Sequence, residues 1–474
     1  MASSAGVSAG HRPREERRAL LKGARCYVVA YGCARAWATL TFTGPWQFLP
    51  VGFDPHVTFD ASYVAVSLLV ALLFRKVVPL NERRWLLRLV LGCMVAASAG
   101  CIAVGLVPAG AAAPLAVASS LAAGVGYGLF LLLAAEVLCT FSLLRVFLFM
   151  TGAMLLGVGL SFLCQGMAGL QLSVALVVLP LLAMVYLQRA YGGIPVAERP
   201  RHTVPRFSYP WKLFALYALY AFAYGLRANQ LVEGAGTHSS ISTALVTGAL
   251  FLSAYFFAGR FNIGALYRSP VLLMVCGFLL IPMEGLFGAA ASSYFIAVSY
   301  SLMGLLVTFL LYDISKRMGV AIVAFVACKN AEQFFVQAGS AATDVLGASG
   351  LPAETQSLVV AVLVCVLILG ATLVLFSERE LASKWGVDIL AAGGLVERSA
   401  EEERREERCR ELVETYRLSP REEEVLRLLA EGKTGRVIQQ ELFIAEGTFK
   451  AHTRHIYEKM SINTRKELFD LLGL

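Results

Sequence analysis

Apolar residues fill the chain up to Phe376 in long runs, and a polar, helix-period pattern takes over beyond it. Twelve runs stand out: about 26–44, 57–74, 85–107, 111–136, 142–164, 169–189, 211–227, 240–259, 269–290, 292–313, 319–346 and 355–376. A helix needs roughly 20 apolar residues to cross about 30 Å of hydrocarbon, and these runs are of that order. Hydrocarbon offers no hydrogen bonds, so a backbone inside it must satisfy its own polar groups, which a helix does. The pattern predicts twelve membrane-spanning helices over 26–376.

The polar connection Tyr191–Pro210, with Pro195, Pro200, Pro205 and Pro210, divides the runs into two sets of six. Two six-helix halves joined this way resemble the major facilitator superfamily, which implies a binding site between the halves near the bilayer midplane. The loop motifs are thin. In Leu80-Asn81-Glu82-Arg83-Arg84 only the paired arginines of that family's second loop persist, and Gly259-Arg260 is a similar echo.

Charge then orients the spans, because basic residues in short loops are retained on the cytoplasmic side. They alternate: Arg12, Arg14, Arg17, Arg18, Lys22 and Arg25 in a tail over 1–25; Arg75, Lys76, Arg83 and Arg84; Arg145; Arg189, Arg199, Arg201, Arg206 and Lys212; Arg260 and Arg268; Lys316 and Arg317. The opposite side has Arg227 at a segment end. With an even number of spans, both termini are expected in the cytoplasm. The basic start has the look of a signal peptide, yet no A-x-A cleavage pattern follows, so the first run is read as an uncleaved span. Composition agrees, with 57% hydrophobic and 16% charged residues over 474 positions. The net charge of +8 belongs largely to these loops and is no argument for nucleic-acid binding.

Residues 377–417 form a charged linker. The run Glu401 to Arg408 places Glu401–Arg405 and Glu406–Arg410 four apart with the acid first, a spacing that supports a solvated helix. It reads as a helical spacer. A dimeric coiled coil is the alternative, although the apolar seam is too short to sustain one.

Residues 418–474 carry the pattern of a small helical domain. Ser419-Pro420-Arg421-Glu422 is a capping box with proline at the first helical position. Val425, Leu428 and Leu429 follow at helical spacing, and Gly432 ends the helix. Thr434 is expected to cap a second helix through Leu442, with Val437, Ile438 and Leu442 apolar. A third helix, about 446–460, places Phe449, Thr453, Ile456 and Met460 on one stripe, and Lys450, Ala451 and Arg454 away from it. Such a helix fits the major groove, with Lys450 and Arg454 reaching guanine edges or phosphates and Thr448 and His455 flanking toward the backbone. Thr464-x-x-Glu467 caps a fourth helix ending at Leu472. From Leu418 onward nine Lys or Arg face nine Asp or Glu, so the pattern carries the reading and net charge does not.

These residues resemble the LuxR-type (GerE-like) transcriptional regulators. The resemblance runs from Leu418-Ser419-Pro420-Arg421-Glu422 through Leu429-Ala430-Glu431-Gly432-Lys433-Thr434 to Gly447-Thr448-Phe449-Lys450-Ala451-His452 and Arg465-Lys466-Glu467-Leu468. It implies double-stranded DNA as partner, Lys450, Ala451 and Arg454 facing bases, a homodimer through the fourth helix, and the inner membrane of a bacterium for the spans. Gln439 stands where the family usually has alanine, and Ala445 where it has a capping serine, a change that costs roughly 1 kcal/mol.

Arg35, Glu136, Lys329 and Glu332 are ionisable residues that stand out in apolar runs. Each is costly in lipid unless paired or hydrated, so each is a candidate contact for an unknown small-molecule ligand. Lys329 and Glu332, three apart, are placed to neutralise each other, and Glu136 to lie at the interface. Trp37, Tyr31 and Tyr127 are candidate pocket walls. The ten cysteines are scattered without metal or redox spacing. No P-loop, nucleophile elbow or zinc-ligand spacing occurs, so neither enzyme nor cofactor is expected, and no receiver domain precedes the final module. The sequence thus predicts an all-α protein, a polytopic bundle in the lipid bilayer followed by a four-helix DNA-binding domain. It is read as a one-component regulator, with a transporter bearing an accessory tail as the alternative.

Overall fold

The computed structural model describes residues 14–43, 55–141, 143–167, 169–195, 199, 209–232, 238–256, 263–318, 320–350, 352–375, 400–430, 435–442, 444–462 and 464–472. Arg12, Gly259-Arg260, the linker up to 399 and Gly432 to Thr434 lie outside them. Among the described residues the secondary structure is helical, and the chain divides into two compact units, Met1–Leu395 and Val396–Leu474.

In the first unit the described part of each predicted run falls mainly on helix: α1 Arg14–Thr43, α2 Pro55–Val77, α3 Arg84–Val104, α4 Ala109–Leu138, α5 Leu143–Gln165, α6 Leu170–Gly192, α7 Trp211–Val232, α8 His238–Phe256, α9 Ile263–Leu280, α10 Glu284–Phe287, α11 Ala289–Met318, α12 Ile322–Lys329, α13 Glu332–Gly347 and α14 Ala353–Leu375. Helix α1 begins at Arg14 and takes in most of the basic tail. Among the described residues eight helices are long and apolar enough to cross a membrane: α2 to α6, α9 with its continuation to Phe287, α11 and α14.

Two runs are not single helices. The ninth passes through a 3-10 turn at Ile281–Met283, where Pro282 removes a backbone donor. The eleventh breaks between α12 and α13, at Asn330 and Ala331, without proline or glycine. There Ala331 N bonds Cys328 O at 3.1 Å and Phe334 N bonds Ala331 O at 3.1 Å, so the ladder tightens to three-residue steps. The polar side chains at the break find partners on another helix. Asn330 Nδ2 donates to Ser67 Oγ at 3.2 Å, and Gln333 Nε2 donates to Asp60 Oδ2 at 3.0 Å.

Counting α9 with α10 and α12 with α13, the packing repeats after six spans. Helix α1 packs on α5 and α6 as α7 packs on α13 and α14; α3 on α4 as α9 on α11; α2 on α4 as α8 on α11. Two seams join the halves, α5 against α8 and α11, and α2 and α4 against α12 and α13, and the same repeat exchanges them. The first seam is apolar and close, with Gly152 facing Phe251 and Gly248 facing Leu155. The second is polar, built from Asp60, Ser67, Asn330, Gln333 and Gln337. Within the second half α7 and α13 touch backbone to backbone: a Cβ on Gly225 would collide with the Val336 carbonyl, and one on Gly339 with that of Phe222. Small residues at such contacts are what allows helices to associate closely in lipid.

The second unit has its own core over α15 Ala400–Tyr416, α16 Pro420–Ala430, α17 Gly435–Leu442, α18 Glu446–Met460 and α19 Arg465–Leu472. Cys409, Leu412, Val425, Leu426, Leu429, Ile438, Ile456, Met460, Leu468 and Leu472 pack together, with Val413 and Tyr416 against them. Helix α15 is therefore not a solvated spacer. Its one apolar face is covered by α16 and α19, and Arg408 Nε donates to the Leu471 carbonyl at 3.0 Å. Among the described residues the compact unit takes in α15 from Ala400 onward. Helix α15 ends with Arg417 in the left-handed region at φ 48, and Leu418 N reaches Val413 O at 3.1 Å, the six-to-one bond of a Schellman cap.

Leu412 is 5% exposed, so Leu412→Ala in a fragment spanning 396–474 should lower unfolding free energy by about 2–5 kcal/mol. Denaturant titration followed by circular dichroism measures it, and a change below about 0.5 kcal/mol would exclude α15 from the fold.

Candidate nucleic-acid interface and intramembrane polar cluster

Helix α18 follows Ala445, whose extended backbone (φ -69, ψ 156) offers no side-chain cap. Its inner stripe is fixed by packing: Ile456 and Met460 are buried, Phe449 packs on the core, and the Thr453 hydroxyl bonds the Phe449 carbonyl at 2.9 Å. Outside that stripe Thr448, Lys450, Arg454 and His455 are exposed, and Ala451 is half-buried. The basic residues are held along the helix. Lys450 Nζ lies 2.7 Å from Glu446 Oε1, and Arg454 Nε lies 3.7 Å from Glu458 Oε1. The hydrogen bond raises the Lys450 ammonium above its ordinary pKa and lowers the Glu446 carboxyl below its own, so both stay charged at neutral pH. Exposed pairs of this kind are weak and exchange readily for other partners.

Helix α17 packs on α18, and at Gly435 a Cβ would come 2.7 Å from the Phe449 ring. Ile444 N bonds Gln439 O at 3.0 Å and closes the turn between the two helices. Gln439 is half-buried there. The cap expected from Thr434 lies outside the described residues. In α19 the predicted box is present, with Thr464 Oγ1 2.8 Å from Glu467 Oε1 and Glu467 N donating to Thr464 Oγ1 at 3.2 Å.

Glu422 does more than its sequence position suggests. It forms the capping box, accepting from Ser419 N at 2.7 Å, and also accepts from Lys459 Nζ at 2.6 Å. Lys459 donates as well to the Arg417 carbonyl at 3.3 Å. Burial pushes the Glu422 carboxyl up, but the hydrogen bonds from Lys459 and Ser419 outweigh it and hold it below the ordinary value. His455 Nδ1 lies 3.9 Å from Glu422 Oε1, so His455 leans toward α16. One carboxylate thus fixes the end of the exposed helix against the start of the domain. Sequence reading missed Lys459 because its partner is 37 positions away.

In the first unit the four ionisable candidates separate. Glu136, fully buried near the end of α4, accepts from Leu80 N at 2.7 Å, Asn81 N at 3.0 Å and Asn81 Nδ2 at 2.9 Å. Its oxygens are occupied by the loop between α2 and α3, so it is a loop clamp and stands apart from the other three. Trp37 is also internal, with Nε1 donating to Ser98 Oγ at 2.8 Å and its ring 6.5 Å from Tyr127. Arg35, half-buried in α1, faces Gly157 of α5, where a Cβ would come 3.0 Å from the Arg35 Cβ.

Lys329 and Glu332 pair at 3.4 Å across the break between α12 and α13, and the Lys329 ammonium stands 5.3 Å from the Tyr217 ring centre. The pair thus meets α7 at Tyr217, whose ring stacks on that of Tyr300 in α11 at 5.8 Å. Sequence reading missed Asp60, buried in α2, which accepts from Gln333 and Gln337. Its position near the start of the second run gave the signal. Among the described residues no group of His, Cys, Asp and Glu is placed to hold a metal.

Residues 416–472 match the family described as bacterial regulatory proteins, luxR family. The carboxy-terminal unit is a LuxR-type helix-turn-helix domain. This LuxR-type domain is 40% identical over 50 residues to the nitrate/nitrite response regulator protein NarL of Escherichia coli K12, across 10% of this chain and 23% of NarL. It is 46% identical over 57 residues to the HTH-type transcriptional regulator MalT of Vibrio campbellii, across 12% of this chain and 6% of MalT. The chain thus spans under a quarter of the relatives it matches. By structure it is similar to the major facilitator superfamily proton:xylose symporter XylE bound to 6-bromo-6-deoxy-D-glucose. The TM-score is 0.55 at 12% identity, over 78% of this chain and all (100%) of that one. That likeness establishes a major facilitator fold.

Two measurements on a 396–474 fragment follow. Lys450→Ala and Arg454→Ala should each weaken binding to the operator by about 1–3 kcal/mol, and unchanged affinity in both would exclude this face. Glu422 has a depressed folded-state pKa, so its stabilisation is present above about pH 4.3 and is lost as pH falls through the folded value. Glu422→Gln should therefore cost roughly 1–3 kcal/mol at pH 7, with the gap to the parent closing near pH 3. A gap independent of pH would show that the carboxylate charge is irrelevant.

Proposed function

We propose that this protein is a membrane-anchored one-component transcriptional regulator. The observation that carries the reading is a LuxR-type domain on the same chain as a polytopic unit with the major facilitator fold. Lys450, Ala451 and Arg454 face base edges in the major groove, while Thr448 and His455 meet phosphates. With balanced charge in the domain, affinity is supplied by a homodimer through α19 on a two-fold operator. Both termini are cytoplasmic and the spans lie in the inner membrane of a bacterium, as the basic loops favour.

The membrane unit binds a small molecule at Arg35, Lys329 and Glu332, joined by Asp60. Glu136 is assigned to the loop it clamps. Sensing requires two states that bind the ligand unequally, and the broken span at the polar seam is an element able to supply them. A second reading, a transporter with a DNA-binding tail, is favoured by the likeness to a symporter. The two separate in a deletion strain complemented with variants. Arg35→Ala should change the same transcripts as the double variant Lys450→Ala/Arg454→Ala. Transcripts unchanged by Arg35→Ala, together with altered solute uptake, would sink the sensor.

A further inference from the structure

We propose that the membrane unit takes an organic cation, a protonated amine carrying a flat apolar body, with its ammonium on Glu332; this rests on the sensing reading above. The side-chain oxygens and nitrogens of the cluster are unequally supplied. Asp60 accepts from Gln333 and Gln337, and Lys329 pairs with Glu332 Oε1. Glu332 Oε2 is buried without a hydrogen-bond partner, on a side chain only 10% exposed. A buried carboxylate oxygen left bare is costly, and what it lacks is a donor.

The surroundings favour a charged donor over a neutral one. Ring faces attract cations, and the Tyr217 ring lies beside the Lys329–Glu332 pair. Tyr300 stacks between Tyr217, at 5.8 Å and 6°, and Tyr224, at 4.6 Å and 10°, so the rings form a planar ladder. The chain itself shows the fit. The Lys329 ammonium already occupies such a place, 3.4 Å from one Glu332 oxygen and 5.3 Å from the Tyr217 ring centre. An anionic ligand would instead have to break the Lys329–Glu332 pair and would leave Oε2 bare.

Binding reaches the fold through the same pair. Lys329 ends α12 and Glu332 begins α13, so an ammonium that shares or takes Glu332 loosens the one ion pair spanning the break. The next residues, Asn330 and Gln333, hold α2 of the other half. Ligand occupancy is thereby coupled to the polar seam.

The test uses the full chain in lipid nanodiscs with three matched probes: 2-phenylethylammonium, 2-phenylethanol and phenylacetate. Thermal stabilisation and intrinsic fluorescence report binding. The ammonium should bind at least about tenfold more tightly than either other probe. Glu332→Gln should abolish that preference, and Lys329→Met, which removes the internal competitor, should tighten ammonium binding. Tighter binding of phenylacetate, no binding by any probe, or ammonium binding weakened by Lys329→Met would each overturn the proposal, even where Glu332→Gln fails to fold. The sensing reading falls separately: ammonium binding at Glu332 without any change in transcription removes the sensor and keeps the site.

Discussion

A polar group inside hydrocarbon has no water to turn to, so each one must be answered from within the chain. The membrane unit is organised by that constraint. Glu136 is answered by the loop between α2 and α3, and in answering it fixes where those two helices turn. Trp37 is answered by Ser98, whose hydroxyl in turn bonds the Leu176 carbonyl at 2.7 Å, which ties α1, α3 and α6 together. Asp60 is answered from α13 and so joins the halves. Satisfied groups of this kind hold the bundle in register, and Glu332 Oε2 is a buried atom that lacks such an answer.

In the DNA-binding unit a single carboxylate has a comparable place. Glu422 closes a helix start and anchors a helix end, so the orientation of the exposed face of α18 depends on a residue of α16. The two left-handed residues at helix ends, Arg417 and Ser461 (φ 55), lie on either side of this junction. The Arg417 carbonyl is itself a partner of Lys459.

Much of this was readable in the order of residues. Twelve apolar runs announce helices because length and hydropathy are local properties, and the boxes at Ser419–Glu422 and Thr464–Glu467 appear because capping acts over three residues. What escaped is what depends on distant partners. Nothing around Asn330 marks a break, since neither proline nor glycine is there and the partners that hold it lie on α2. Glu136 reads as a ligand contact until the amides 55 and 56 positions earlier come into view. Helix α15 reads as a spacer because its stripe of Cys409, Leu412, Val413 and Tyr416 is too short for a coiled coil, yet it suffices to cover two neighbouring helices.

The two seams between the halves are exchanged by the same six-span repeat, but their chemistry is not. Where α5 meets α8 there are glycines against leucine and phenylalanine, and separation there would forfeit dispersion contacts that nothing replaces. Where α2 meets α12 and α13 there are hydrogen bonds, which entering water can replace nearly one for one. The two edges of the contact between the halves therefore differ in how much they lose when water reaches them.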